Sequence, residues 1–368
     1  MAGDAGMSDD AAAAALAAPA ALAAFAPERL GFRSLGDHGG WIRETGDGSG
    51  VVVAPLAWQH AHSPSYLARG SGPEPGMDAL KLLVELQRDV WGMRPEDLVP
   101  ANLLGLLAET GGSVLAAYDH AVGWNADGWL GFVIGVGSRG GPLVSHMLGV
   151  REDIRGRRDI GWTLKIVQGY DALRTGHTDM VWTFDPMRGM NAHLNLEKLG
   201  AAIQEFTVDK YGVLRTGLYG DVPSDRLTAR WDLLAPATLV RIGAVAAGAY
   251  RPPTLAEIAP IPEVTFSNVD VLRESHHPRL RYRIPGDIDA LARADPAAAI
   301  RWRQGMRAVF AALTPTKTAR IDGAASDGPA AVGYVSTRGA YTIDGFATGI
   351  GMKGERESFY LLGRRKTA

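Results

Sequence analysis

Three glycines, Gly135, Gly137 and Gly140, spell G-x-G-x-x-G after an apolar run, which is the spacing of a dinucleotide-binding turn. That turn works only where its glycines open a helix, because the helix N-terminus faces the pyrophosphate. Here Gly141 leads instead into Pro142 and an alternating segment. We therefore expect a hairpin turn between two antiparallel strands, and a dinucleotide-dependent oxidoreductase is the least favoured of our hypotheses.

A stronger candidate for phosphate binding follows one strand later, in the stretch "VREDIRGRRDIGW". A strand ends at Val150, a basic loop follows, and a helix begins near Ile160. The first amides of a helix have no intrahelical acceptor, and the helix dipole favours an anion there. Arg155, Arg157 and Arg158 add groups that grip phosphate oxygens. The alternative is a solvated basic loop that only caps the helix.

The spacing of apolar residues predicts the elements that would position this loop. Helices are predicted over residues 77–93, 94–112, 160–175 and 190–201. Strands are predicted over 113–119, 129–136, 142–150, 179–185, 203–212 and 226–233. The period changes from helical to alternating after Gly112, so two helices precede a set of antiparallel strands.

Composition restricts the function classes. The formal net charge of −2 gives no bulk attraction to nucleic acid or to an anionic membrane. There is no cysteine, which excludes disulfides, thiolate nucleophiles and cysteine-ligated zinc sites. The alanine-rich start has no basic residue before Arg29 and the chain has no long, strongly apolar run. We therefore expect a cytoplasmic protein without a cleaved signal or a membrane span.

Composition also suggests three regions. Residues 1–76 are rich in alanine and then in glycine and proline, and we expect an arm and a linker that can be removed. Within them, Val51–Ala54 is the piece most able to pair with a sheet edge. Residues 77–235 form the predicted domain, and residues 236–368 an α/β extension, either an incomplete second lobe or a lid.

The order of these elements resembles the GNAT superfamily of acyl-CoA-dependent N-acyltransferases. The resemblance covers residues 77–235 and rests on "LQRDVWG", "ETGGSVLAAYD", "SHMLGVREDIRGR", "VWTFDPMRGMNAHLNLEKLGA" and "YGDVPSDRLTARW" in this order. It implies an α/β fold with a splayed mixed central sheet flanked by helices. The basic loop resembles the family's pyrophosphate motif, with either Asp159 at a usual glycine position or one residue inserted.

The resemblance also implies how acyl-CoA is held. The main chain of Leu148 and Val150 would bind pantetheine, where the strand ending at Val150 splays from the next one. The other implied contacts come from the basic loop, the helix start and the short helix: Arg155, Gly156, Arg157, Arg158, Ile160, Gly161 and Asn191. The co-substrate is acetyl-CoA or another acyl-CoA, and the acceptor is a small-molecule amine, with amino acids among the candidates.

Acyl transfer to an amine needs a base and, for thiolate departure, an acid. His146 shares strand parity with Leu148 and Val150, so we predict that it faces the open splay as the base. The alternative is a half-buried structural histidine. The family's tyrosine acid falls on Leu196, so Tyr211 and His193 are alternative acids.

We expect no metal, because the histidine pairs His60/His62 and His276/His277 lack further ligands at suitable spacing. The second hypothesis is a GNAT-like module that binds CoA or assembles with a partner without catalysis. Hydrolysis or transfer of an acyl-CoA would separate the two. A homodimer is compatible with the sequence.

Overall fold

The computed structural model describes residues 9–36, 40–44, 50–56, 77–156, 158–216, 220–321 and 332–366. Contacts divide the chain into two compact units. The first comprises Met1–Val181 and Trp231–Ala249, and the second Trp182–Arg230 and Tyr250–Ala368. These boundaries differ from the expected ones at residues 76 and 235.

The first unit contains most of the predicted elements. Its helices are α1 (Asp9–Phe25), α2 (Met77–Trp91), α3 (Ala101–Glu109), α4 (Ile160–Arg174) and α6 (Pro236–Ala246). Its strands are β1 (Arg33–Ser34), β2 (Trp41–Glu44), β3 (Gly50–Pro55), β4 (Ser113–Asp119), β5 (Trp129–Val136) and β6 (Leu143–Val150). The chain passes into the second unit within β7 (Asp179–Phe184).

The strands of the first unit pair in chain order from β1 to β7. The neighbours from β1 to β6 are antiparallel, and β6 and β7 are parallel. Both faces of the sheet are buried under helices. The predicted mixed sheet flanked by helices is therefore confirmed.

Strand β3 shows why this sheet has two buried faces. Val52 and Ala54 pack with α2 and α3, while Val51 and Val53 pack with α4. Side chains of a strand alternate between faces, so a run of four apolar residues suits a strand covered on both sides. The segment expected to be an arm thus supplies a strand of the core.

Helix α1 covers α4 on the outside of the same layer. The Phe25 ring is fully buried and meets Trp231 edge-on, with ring centroids 5.1 Å apart. Gly169 on α4 permits this approach, because a Cβ there would lie 2.5 Å from a Phe25 ring atom. No helix among the described residues has the length and apolar character needed to cross a membrane.

The G-x-G-x-x-G stretch lies in the turn between β5 and β6, which are antiparallel neighbours. Gly140 has a φ of +66°, a left-handed conformation that favours glycine. The prediction of a hairpin turn is confirmed, and these glycines open no helix.

The second unit holds helices and strands around its own core. Its helices are α5 (Gly189–Ala192), α7 (Leu255–Ile258), α8 (Val269–Glu274), α9 (Ile288–Ala294) and α10 (Pro296–Leu313), with a π-helix over His193–Lys198. Its strands are β8 (Ala202–Val208), β9 (Val213–Thr216), β10 (Gly220–Pro223), β11 (Arg226–Asp232), β12 (Arg279–Ile284), β13 (Thr316–Ile321), β14 (Val332–Thr337), β15 (Tyr341–Ile350) and β16 (Arg356–Arg364). Strand β11 re-enters the first unit at Trp231.

Two sheets and a hairpin organise these strands. Strands β11, β8, β13 and β14 are consecutive neighbours, with β8 and β13 parallel. Strands β12, β16 and β15 form an antiparallel sheet, and β9 and β10 form the hairpin. The single predicted strand over 203–212 is therefore shorter than expected and is followed by a hairpin.

Candidate functional site

Strand β6 contains a β-bulge. Ile134 of β5 pairs with Met147 and the next residue, Gly135, pairs with Ser145, so His146 is an extra residue in β6. A bulge of this kind interrupts the alternation of side chains between the two faces of a strand. It therefore decides which residues of β6 share a face.

The bulge changes the parity of the strand. Ser145 hydrogen-bonds to residues of α4, and Leu148 and Val150 also pack in the α4 layer. Met147 packs on the opposite face, with α2 and α3. His146 lies between Ser145 and Met147, so it does not share the face of Leu148 and Val150.

The parity argument for His146 is therefore wrong, because it assumed an uninterrupted strand. The base assignment itself remains a prediction on other grounds. His146 is exposed, but neighbouring atoms partly desolvate its imidazole and lower its pKa below the usual 6.5. The neutral imidazole, the form able to accept a proton, is favoured at neutral pH.

The parallel ladder between β6 and β7 is short. Their parallel ladder consists of Leu143 with Met180 and Val144 with Val181, while β6 continues to Val150. Beyond Val144 the edge of β6 that faces β7 is left without this ladder. An extended chain with amide groups can pair with such an edge.

Two arginines of the loop after β6 hydrogen-bond to nearby groups of the protein. Arg155 donates from Nε to the carbonyl oxygen of Val150 at 3.1 Å. Arg151 donates from Nη1 to the Asp127 carbonyl at 2.7 Å and from Nε to Asp153 at 2.8 Å. Arg155 is exposed and would have to rotate to reach a phosphate.

Left-handed backbone brings the chain into α4. Gly156, Arg158 and Asp159 have φ values of +74°, +57° and +52°. Left-handed backbone costs a residue with a Cβ about 1–2 kcal/mol, so two adjacent non-glycine residues here are strained. Arg158 approaches Asp119 at 3.8 Å, and Arg157 lies outside the described residues.

Asp159 precedes α4 but its side chain does not cap the helix. Its carbonyl accepts the first intrahelical bond, from the Thr163 amide at 2.9 Å. Burial lowers the pKa of the Arg43 guanidinium, and the negative charge of Asp159 opposes this shift in part. The amides of the first turn, from Ile160 through Gly161, have no intrahelical acceptor. The Asp159 side chain makes no capping hydrogen bond to these amides.

A buried lysine behind β6 was not expected from the sequence. Lys165 Nζ donates to Ser145 Oγ at 2.7 Å, and Ser145 Oγ donates to Gln168 Oε1 at 2.8 Å. All three side chains are buried, and desolvation lowers the pKa of Lys165 well below its usual 10.5. The sequence feature that could have indicated buried polar groups is the presence of Lys165 and Gln168 within an otherwise apolar helix.

The second unit holds the other catalytic candidates. The Tyr211 hydroxyl lies 3.0 Å from Thr183 Oγ1 on β7, and its ring lies 5.5 Å below the Arg226 guanidinium. His193 is half-buried at the start of the π-helix, and Leu196 is buried within it. Tyr211 and His193 therefore lie in different elements.

Asn191 is exposed on α5, and its main-chain N–H donates to the Arg188 carbonyl oxygen at 3.0 Å. Gly200, with a φ of +67°, follows the π-helix in a left-handed conformation that favours glycine. The π-helix itself was not predicted, since the sequence favoured a single short α-helix. The role of Asn191 toward a cofactor stays a prediction.

A carboxylate–guanidinium pair anchors the end of β7. Asp185 accepts two hydrogen bonds from Arg303 at 3.1 and 2.9 Å. Burial raises the pKa of Asp185, but the charge of Arg303, aided by Arg226 and the Met187 amide, outweighs it and the pKa lies below 3.8. The Asp225 carboxylate pairs with Arg307, whereas the neighbouring Arg226 donates to the Asp225 carbonyl oxygen.

Of the two histidine pairs considered as metal ligands, one lies among the residues that the structure describes. His60 and His62 lie outside the described residues. His276 contacts Arg364, and His277 Nδ1 lies 2.7 Å from the Arg279 carbonyl. Within the described ranges, His, Asp and Glu side chains form no group of three or more able to hold a metal ion.

The chain is similar to solved acetyltransferases. An N-acetyltransferase from Staphylococcus aureus Mu50 shares 11% identity over 50% of this chain and 99% of its own, with a TM-score of 0.35. Nourseothricin acetyltransferase shares 18% identity over 33% of this chain and 66% of its own, with a TM-score of 0.28. A GNAT family acetyltransferase from Elizabethkingia anophelis, solved with acetyl-CoA bound, shares 14% identity over 38% and 94%, with a TM-score of 0.27.

These likenesses are partial, and the chain spans just under two thirds of nourseothricin acetyltransferase. No family model matches the chain. No curated protein matches it either.

Proposed function

We propose that this protein transfers an acetyl or other short acyl group from acyl-CoA to a small-molecule amine. The observation that carries the proposal is that the ladder of β6 with β7 ends at Val144 while β6 continues to Val150, followed directly by an arginine-rich loop and the start of α4. An open strand edge suits the amide-bearing pantetheine arm, and a helix N-terminus with nearby arginines suits a pyrophosphate. These two features follow each other in one continuous segment.

The segment divides the work of binding. The main chain of Leu148 and Val150 pairs with pantetheine along the open edge of β6. The amides of Ile160 and Gly161, with the Arg158 side chain, hold the pyrophosphate. Arg155 joins them after releasing the Val150 carbonyl. Gly156, Arg157 and Asn191 remain proposed contacts.

In the proposed reaction the amine nitrogen bonds to the acyl carbon and the carbon–sulfur bond breaks. His146 accepts the proton from the attacking amine, directly or through water. The departing thiolate takes a proton from water or from an acid, and Tyr211 and His193 stay predictions from the sequence for that acid. Because the pKa of His146 lies below 6.5, its base form persists to a lower pH than that of an ordinary histidine.

Calorimetric titration with CoA tests the binding step. Arg158→Ala and Arg155→Ala should each weaken CoA binding by about 1.5–3 kcal/mol for a lost charged hydrogen bond. Arg94→Ala is the control, because Arg94 forms surface ion pairs with Glu96 and Asp97 in the same unit. Wild-type protein that does not bind CoA would refute the proposal.

Turnover tests the chemical step. A mass-spectrometric screen of acyl-CoAs against pooled amines identifies the reaction, and His146→Ala should then slow it by about 10²–10⁴-fold. The acidic limb of the rate profile should disappear, while CoA binding stays near that of the wild type. A variant within about threefold of wild type would remove His146 from catalysis. CoA binding without transfer to any amine would favour the non-catalytic module.

A further inference from the structure

A cavity of about 340 Å³ lies within the second unit, between β12, the first half of α10 and residues 263–266. This volume is at the lower end of the range of about 300–1,000 Å³ for small-molecule pockets. Its wall is largely apolar. Ala298, Trp302 and Gly305 share one face of α10 because they are four and three residues apart. The two small residues leave space on either side of the Trp302 indole.

Two residues of this wall, Tyr282 and Trp302, carry hydrogen-bond donors. The Tyr282 ring is buried and meets Phe310 edge-on with centroids 5.3 Å apart, and its hydroxyl lies 3.6 Å from the place of a Cβ on Gly305. The Tyr282 side chain is buried and Trp302 is half-buried. Neither the Tyr282 hydroxyl nor the Trp302 indole N–H belongs to the fully buried polar atoms of the described residues that lack a partner, so both donors are open to water or to a molecule in the cavity.

Both donors keep their protons at neutral pH. Burial raises the pKa of Tyr282, so its hydroxyl remains protonated, and an indole N–H can only donate. A molecule in this cavity therefore has to offer a hydrogen-bond acceptor. An acceptor with negative charge forms the stronger bond.

Each charged side chain of the wall forms an ion pair. Glu263 pairs with Arg281 at 3.4 Å, and Arg283 pairs with Glu357 at 3.1 Å. Arg301 pairs with Asp295 at 3.5 Å, and both side chains are more than half exposed. An exposed pair of this kind contributes little energy. Arg301 can therefore exchange Asp295 for the carboxylate of a ligand.

The mouth of the cavity carries an exposed aromatic ring. Phe266 is 71% exposed and lines the same space as Trp302. Aromatic rings pack favourably against each other in offset or edge-on arrangements. A flat ring system therefore suits the space better than a flexible aliphatic chain does.

We propose that this cavity is a binding site for a small planar aromatic carboxylate. The ring lies against Trp302 and Phe266, and the carboxylate accepts hydrogen bonds from the Tyr282 hydroxyl and the Trp302 indole, with Arg301 supplying positive charge. The site requires no acyl-CoA, so its occupancy is independent of the proposed acyl transfer.

Calorimetric titration of the full chain with 2-naphthoate tests this site. Tyr282→Phe and Trp302→Phe keep the rings and remove one donor each, so each should weaken binding about tenfold or more. Gly305→Leu places a side chain in the cavity and should abolish binding. Gly305→Ala fits beside Tyr282 without a clash and should weaken binding more mildly. Tyr334→Phe, an exposed residue outside the cavity wall, is the matched control.

A second ligand tests the role of charge. Neutral 2-naphthamide should bind at least tenfold more weakly than 2-naphthoate, and Arg301→Gln should reduce this difference. Thermal melts confirm that each variant is folded. The site is refuted if 2-naphthoate does not bind the wild type, or if binding survives in the folded Tyr282, Trp302 and Gly305 variants. Equal affinity for the amide refutes the carboxylate. Each result holds whether or not the protein binds CoA.

Discussion

The two units bury charged side chains in different ways. In the first unit, the Lys165 amine hydrogen-bonds to the uncharged hydroxyl of Ser145, and desolvation lowers its pKa. In the second, Asp185 and Arg303 are buried together, and the pKa of the acid falls instead of rising. Burial disfavours a charge, whereas a close opposite charge restores it. At Asp185 the charge of Arg303 thus outweighs the effect of burial, whereas desolvation is the largest cause of the shift at Lys165.

The largest expected effect comes from breaking the buried pair. Arg303→Met should lower the free energy of unfolding by about 3–5 kcal/mol, because it leaves the Asp185 carboxylate buried without its guanidinium. Urea denaturation measures the loss. Arg301→Met, on the same helix but exposed, should unfold nearly like the wild type. Adding Asp185→Asn to Arg303→Met should recover part of the stability, and no recovery would contradict the charge explanation.

The lysine should respond to pH. Its pKa is lowered in the folded state, so the unfolded chain takes up a proton that the folded chain does not hold. The free energy of unfolding of the wild type should therefore rise as the pH increases toward 10.5, by up to about 1.4 kcal/mol per pH unit. Lys165→Met should lack this rise, as urea denaturation between pH 7 and 10 will measure.

A matched lysine isolates the effect. Lys81→Met removes an exposed lysine of α2 in the same unit and should keep the wild-type pH dependence. If Lys165→Met and the wild type change in parallel with pH, Lys165 is charged in the folded protein. The contrast between the two units would then disappear.

The smallest effect is expected at the surface. Arg279 and Asp344 are 2.9 Å apart, which is as short as the buried pair, but both side chains are more than 40% exposed. Arg279→Gln should change the free energy of unfolding by less than about 1 kcal/mol, since water and salt screen exposed pairs. A loss comparable to that of Arg303→Met would mean that distance outweighs burial.

Local patterns predicted much of the first unit. The bounds of β4 and β5 match the prediction, and those of β6, β7 and α4 differ by one residue. These segments have clear apolar periods and end at glycines or other turn residues. Strand β3 also followed from its four apolar residues. Its place inside the sheet did not, because alanine- and glycine-rich neighbours gave no sign of the layers around it.

The candidate site was less predictable, because it depends on contacts between distant residues. The bulge at His146 arises from the pairing of β6 with β5, and the residue types of β6 do not predict it. The left-handed backbone at Arg158 and Asp159 is similarly held by its surroundings and not by glycine. Lys165 looked like an ordinary helical lysine, since its burial requires the sheet in front of it.

The bulge makes His146 the spare residue of its strand. Without His146, the side-chain positions of Ser145, Met147, Leu148 and Gly149 alternate regularly between the two faces of the sheet. Each of these residues then faces the same helical layer as in the present structure. The hydrophobic core thus needs a strand one residue shorter than β6. Core packing therefore does not require a particular side chain at position 146. A substitution there can change the chemical character of the side chain without disturbing the helical layer on either face.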